Sequence, residues 1–131
     1  MNTKPPRDLC PCGSNRNYTD CCARYLDHNE VVPDAEALMR SRYTAYTVLR
    51  EDYLLATWHP STRPAQLGLA QEAPTKWIAL EVKRHEQPDA EQAIVEFVAR
   101  YKVNGRAYRL QEVSRFVRES GKWFYVDGEI A

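Results

Sequence analysis

The sequence predicts an α+β fold: a short cysteine-rich knuckle, then helices, then a curved antiparallel sheet of four strands. Three observations predict it. All four cysteines fall between residues 10 and 22 of a 131-residue chain. Apolar residues recur at helical spacing from Ala35 to Leu49, and from Lys76 onward the apolar period changes to two. Helices first and hairpin-linked strands after is the order of an α+β domain, whose sheet packs one face on the helices.

The chain has room for one hydrophobic core plus an appendage. Hydrophobic residues make up 44% and charged residues 27%, which is ordinary for a soluble globular protein. Eighteen basic side chains balance eighteen acidic ones, so net charge favours neither a nucleic acid nor an anionic membrane. Met1 to Cys10 has no apolar signal region, and no apolar run approaches the roughly 20 residues that span a bilayer. These features predict a cytoplasmic protein with no membrane and no specific nucleic-acid partner. In a reducing compartment, clustered cysteines point to metal binding before disulfides.

The knuckle runs Cys10-Pro11-Cys12-Gly13-Ser14-Asn15-Arg16-Asn17-Tyr18-Thr19-Asp20-Cys21-Cys22, a C-x-C-x8-C-C spacing. Four thiolates suit a tetrahedral ion and leave no open position, so Cys10, Cys12, Cys21 and Cys22 are the expected ligands of one structural zinc ion. Iron is accepted by the same donor set. Gly13 supplies the positive φ that lets the chain double back. Ser14 is expected to cap a short helical turn carrying Tyr18, Cys21 and Cys22, with Tyr18 as a lid over the metal. Lys4, Arg7, Arg16 and Arg24 outnumber Asp8 and Asp20 and offset the thiolate charge. So short a segment has little apolar core, and metal binding must supply its folding energy. His28, beyond Arg24-Tyr25-Leu26, reads as a surface histidine.

Cys10-Pro11-Cys12-Gly13-Ser14, Tyr18 and Cys21-Cys22 resemble the SEC-C motif, the zinc-binding tail of the preprotein-translocase ATPase that meets an export chaperone and the ribosome. The resemblance covers roughly Arg7 to Cys22. It implies a protein partner, the ribosome or an export chaperone, met through Arg7, Arg16 and Tyr18. This chain has Asn15-Arg16-Asn17 where the family usually carries Gly-Lys-Lys, which leaves the sulfurs intact and removes the lysines from any such contact.

Pro33-Asp34 reads as a helix start, and Ala35, Leu38, Met39, Ala45, Tyr46 and Leu49 form an apolar stripe interrupted by Arg42. Glu51-Asp52 opens a second short helix that ends near Thr57-Trp58-His59-Pro60. Ser61 to Thr75 reads as a loop around Pro64, Gly68 and Pro74. Ile78, Leu80 and Val82 then share one strand face, as do Val95, Phe97, Ala99, Tyr101 and Val103. Pro88-Asp89 breaks the first pair of strands, and Asn104-Gly105 and Ser120-Gly121 close the next two hairpins. Trp58, Trp77 and Trp123 are core candidates, and His85 reads as part of a solvated strand edge.

With Leu38-Met39-Arg40-Ser41-Arg42-Tyr43, Tyr53-Leu54-Leu55-Ala56-Thr57-Trp58-His59-Pro60, Glu96-Phe97 and Glu112-Val113-Ser114-Arg115-Phe116, the whole chain is similar to the YchJ-type family of bacterial proteins. That resemblance implies a nuclear-transport-factor-2-like (cystatin-like) cone over residues 27–131, behind a SEC-C knuckle at residues 1–26. It carries no activity with it.

Two function classes follow. One is an interaction protein whose knuckle meets a partner. The other is a small-molecule-binding protein or enzyme using the cone interior, where Arg42, Tyr46, His59 and Glu112 form the expected pocket. Glu112 lies in phase with Tyr108, Leu110, Ser114 and Phe116, so a buried Arg42–Glu112 ion pair is expected. His59, with an ordinary pKa near neutrality, is the candidate general base.

Overall fold

A computed structural model describes residues 9–69 and 74–131. The knuckle begins with an antiparallel bridge between Leu9 and Asn17, closed by the Cys10 amide donating to the Arg16 carbonyl at 2.8 Å. Gly13 at φ +82° and Asn15 at φ +66° turn the chain within it. Asn is among the few residues with a side chain that take this conformation readily, which accounts for an asparagine at the turn. A 3-10 turn at Tyr18–Asp20 leads into the one-turn helix α1 (Ala23–Leu26).

Helix α2 (Ala35–Thr47) starts where expected: the Asp34 carboxylate accepts from the Ala37 amide at 2.8 Å. Helix α3 (Glu51–Ala56) follows at once. The sheet is a meander in the order β1 (Thr75–Asp89), β2 (Gln92–Val103), β3 (Arg106–Glu119), β4 (Lys122–Ile130). Asn104-Gly105 and Ser120-Gly121 take positive φ at both residues, the two-residue turn whose twist matches that of its flanking strands. Bulges in β1, and one between β3 and β4 at Arg115/Phe116, bend the sheet around the helices.

The first β1 bulge corrects one expectation. At Trp77/Ala79 the register slips by a residue, so Trp77 and Leu80 both face the core and Ile78 is exposed. Ile78 therefore does not share a face with Leu80. The second bulge, at Val82/Arg84, carries His85 inward opposite Val95, against expectation: its Nδ1 lies 3.7 Å from Glu36 of α2. Trp123 is buried as expected, whereas Trp58 and Trp77 are half-buried.

One buried cluster runs through the molecule, from the four cysteines, Tyr25 and Leu26 through Leu38 of α2 to Val95, Phe97 and Phe116 of the sheet. The knuckle is docked on the cone. Gly13 lies so close to β1 that an added Cβ would stand 3.1 Å from the Leu80 carbonyl oxygen. The Arg40 guanidinium donates to the Cys12 carbonyl at 2.7 Å, and Arg50 joins Asp27 and the Leu26 carbonyl to the start of α3.

Candidate functional site

The four Sγ atoms all lie within 4.8 Å of one another, and every one of these cysteines is buried. A tetrahedron with metal–sulfur bonds of about 2.3 Å has edges of roughly 3.8 Å. The Cys12–Cys21 Sγ separation is 3.6 Å. The donor set and its dimensions fit a metal ion without rearrangement of the chain.

Hydroxyl groups surround the sulfurs. Thr44 of α2, fully buried, donates to Cys22 Sγ at 3.3 Å and lies 3.7 Å from Cys10 Sγ; Ser14 Oγ stands 3.2 Å from Cys21 Sγ. Ser14 therefore supports a sulfur and does not cap the turn, which has no side-chain cap. The thiols share charge unequally. Hydrogen bonds from Cys12 and then Cys22 hold the Cys10 thiol far below its ordinary 9.0, and the Cys10 sulfur in turn pushes Cys12 and Cys22 up. Among these three thiols the protein groups favour ionisation of Cys10, and a bound cation would favour it in its neighbours too.

Arg16, Arg24 and Arg40 border the adjoining surface depression with Ser14 and Cys21, supplying positive charge beside the sulfurs. Arg40 was not foreseen; it sits 28 residues from the carbonyl it holds. Arg16 is exposed, its guanidinium held by the Asp20 carbonyl at 2.9 Å. Tyr18 is half-buried, and its hydroxyl donates to Asp27 at 3.0 Å; burial raises its pKa to about 12. Arg7, the remaining residue of the expected partner surface, lies outside the described residues. His28 is exposed.

The cone encloses a second feature, a cavity of about 270 Å³ between α2 and the inner sheet face. Arg42, Tyr46, Glu112 and Ser114 contribute its polar groups, and Tyr43, Trp77, Phe97, Phe116 and Tyr125 its aromatic walls. The expected Arg42–Glu112 ion pair is not formed. Arg42, 5% exposed, spends Nη1 on the Leu54 carbonyl at 2.8 Å and Thr57 Oγ1 at 2.7 Å. Its guanidinium packs over the rings of Tyr125 at 4.5 Å and Trp58 at 5.1 Å. Burial lowers its pKa from the ordinary 12.5, while Tyr46, Tyr125, Tyr53 and Glu112 act in the opposite direction. Backbone carbonyl and aromatic faces have done what a carboxylate was expected to do.

Glu112 is held elsewhere, accepting from Ser114 Oγ at 2.7 Å and lying across Gly128 of β4, where an added Cβ would collide with Oε2. His59 leaves the expected pocket altogether. The segment Thr57–His59 pairs with Tyr125 through backbone bonds of 2.9 and 2.8 Å, which turns Trp58 towards Arg42. The next residue, His59, meets Ser61 at 2.7 Å, Glu119 at 2.9 Å and the ring of Phe124. Adjacent residues of an extended segment face opposite ways, so Trp58 and His59 cannot both line the cavity.

On the outer sheet face Arg84 pairs with Glu86 and Glu96, Lys83 with Glu81, and Arg115 with Asp127. These basic residues are matched locally and form no stripe. Among the described residues no helix is long and apolar enough to cross a membrane.

Comparison with known proteins adds the following. Residues 34–128 match the family model described as YchJ, middle NTF2-like domain, and residues 7–24 match the SEC-C motif. A UPF0225 protein of Chromobacterium violaceum is 56% identical, over 98% of this chain and 97% of its own. Another from Cupriavidus pinatubonensis is 53% identical, over 97% and 94%. Among solved structures, a SEC-C motif containing protein from Rhodopseudomonas palustris is similar at a TM-score of 0.84 and 32% identity, over 93% of this chain and 98% of that one. One from Psychrobacter arcticus is similar at 0.75 and 26%, over 93% and 82%.

Proposed function

The chain belongs to the YchJ family, with a SEC-C motif before its NTF2-like domain, and from that premise we propose a zinc-stabilised interaction protein. The observation that carries the metal reading is the set of four buried thiols within 4.8 Å of one another. Four sulfurs with no room for substrate make a closed site, and closed sites serve structure. The ion would fasten the knuckle to α2 and β1, where Thr44 and Leu80 already meet it. Elemental analysis of protein purified without added metal tests this, with one zinc per chain expected. One iron per chain, which the same sulfurs accept, would overturn zinc as the resident ion.

The partner reading follows by analogy with SEC-C tails: a ribosomal or export-chaperone surface in the cytoplasm, where thiols stay reduced. The exposed Arg16 and half-buried Tyr18 are the residues that would meet it. Cosedimentation with ribosomes is the test. Arg16→Glu is the informative variant, because a cysteine substitution would disturb a core shared with the cone. Reduced binding supports the reading; binding by Arg16→Glu combined with Tyr18→Ala equal to wild type sinks it.

A second reading is favoured by the cavity: a small-molecule site in the cone interior, using Arg42 and Glu112. Its volume of about 270 Å³ lies just under the roughly 300–1,000 Å³ of drug-sized sites, so its occupant would be small.

A further inference from the structure

The cone cavity holds two opposite charges that do not satisfy each other. Arg42 is buried, with Nη1 on the Leu54 carbonyl and Thr57 Oγ1, and its guanidinium lines the cavity without an ion pair to Glu112. A guanidinium has five N–H donors in a fixed fork, and the two bonds on Nη1 account for two of them. Glu112 has Oε2 on Ser114 and forms no ion pair with Arg42. Both side chains line the same space.

Each charge is held in position by its neighbours. The Leu54 carbonyl, Thr57, Trp58 and Tyr125 hold the guanidinium from behind and from its faces. Gly128 holds open the room for the carboxylate. Its φ is not in the left-handed region, so the backbone has no need of glycine there, but any Cβ would collide with Glu112 Oε2, Cδ and Cγ. Between the two charges the walls are aromatic, with Trp77 in edge contact with Tyr43 at 5.5 Å and tilted against Tyr46 at 6.0 Å.

We propose that the cavity binds a small zwitterion of amino-acid size, its carboxylate on Arg42, its ammonium on Glu112 and an aromatic or large apolar body against Trp77 and Tyr43. The proposal rests on the reading of the cone interior as a ligand site and names its ligand class. A purely anionic ligand would face the Glu112 carboxylate, and a purely cationic one would face a buried guanidinium. Only a molecule carrying both charges answers both, and its charge-assisted bonds would form between largely aromatic walls.

The probes are L-phenylalanine, 3-phenylpropionate and 2-phenylethylamine, the last two lacking the ammonium and the carboxylate in turn. Saturable binding is measured by calorimetry or by ligand-observed nuclear magnetic resonance on the intact protein. L-Phenylalanine is expected to bind at least about tenfold more tightly than either single-charge probe. Glu112→Gln should weaken L-phenylalanine by about tenfold while changing 3-phenylpropionate little. Gly128→Ala, which forces the Glu112 side chain aside without removing its charge, should act like Glu112→Gln. If a single-charge probe matches L-phenylalanine, the zwitterion is wrong and a ligand site remains. If none of the three binds at millimolar concentration, the ligand reading falls with it.

Discussion

The knuckle and the sheet are held by opposite means. In β2, Ala93, Val95, Phe97 and Ala99 are buried together with Val98 between the last two, and hydrophobic burial of this kind is spread over many side chains. Between Cys10 and Cys22 the buried side chains are the cysteines themselves, with Ser14, Asn15, Arg16, Asn17 and Asp20 around them. Their cohesion is concentrated in one point. Distributed packing loses a little with each substitution, whereas a point of coordination is all or nothing, and the two regions meet at α2.

Metal removal should break this comparison most visibly. Small structural zinc sites contribute apparent folding energies of roughly 10–16 kcal/mol, an upper guide here because the knuckle also leans on the cone. Chelation is expected to erase amide protection from Cys10 to Leu26, weaken it along α2 and spare the β2–β3 ladder. Hydrogen exchange with and without chelator reads this directly. Uniform protection in both samples would mean the sulfurs are packed as a hydrophobic cluster and need no ion.

Leu38→Ala is next in size. Leu38 is fully buried on α2, in the cluster that joins the cysteines to the sheet. Its truncation should cost about 2–5 kcal/mol in denaturant unfolding. Because it lies on the shared boundary, the loss should appear as one cooperative transition reported equally by knuckle and sheet probes. Two separate transitions would show that the regions unfold independently.

A finer test is Thr44→Val, which keeps side-chain shape and removes the hydroxyl that donates to Cys22. Loss of a group that supports a ligand typically lowers metal affinity about 10–100-fold. The expected outcome is faster loss of metal to a chelator at nearly unchanged stability when metal is in excess. If the rate of loss equals that of the wild type, Thr44 is filling space only.

What could be read from the sequence divides along the same line. The cysteine spacing, the Asp34 cap and the Asn104-Gly105 and Ser120-Gly121 turns are local: each acts on residues within a few positions, so its consequence is written beside it. Most of the misses depend on partners distant in the chain. Thr44 reaches sulfurs 22 and 34 residues away, and nothing around it distinguishes it from any other helical threonine. The β1 bulge at Trp77/Ala79 inverts an alternation that looked unbroken as letters. Alternation placed Glu112 correctly on the inner face. It could not say that Gly128 would make room for its carboxylate, or that Arg42 would be met by a carbonyl and two rings. Ala70 to Ala73, within the expected loop, lie outside the described residues.

The smallest expected effect belongs to a surface acid. Glu51, at the start of α3, accepts from the Leu67 amide at 3.0 Å and the Leu69 amide at 3.1 Å, and these bonds hold its pKa below the ordinary 4.5. A carboxyl whose folded pKa is depressed releases its proton more readily when folded. Its contribution is therefore complete above the unfolded value and is lost as pH falls through the lower, folded one. The Leu67 and Leu69 amide resonances should accordingly titrate together below pH 4.5, and Glu51→Gln should abolish that titration while leaving the hairpin amides untouched. Because Leu67 and Leu69 also pack against the core, loss of the carboxylate should loosen this loop without releasing it. Titration of the Leu67 and Leu69 resonances with a midpoint above 4.5 would show that the two amides do not hold the carboxylate.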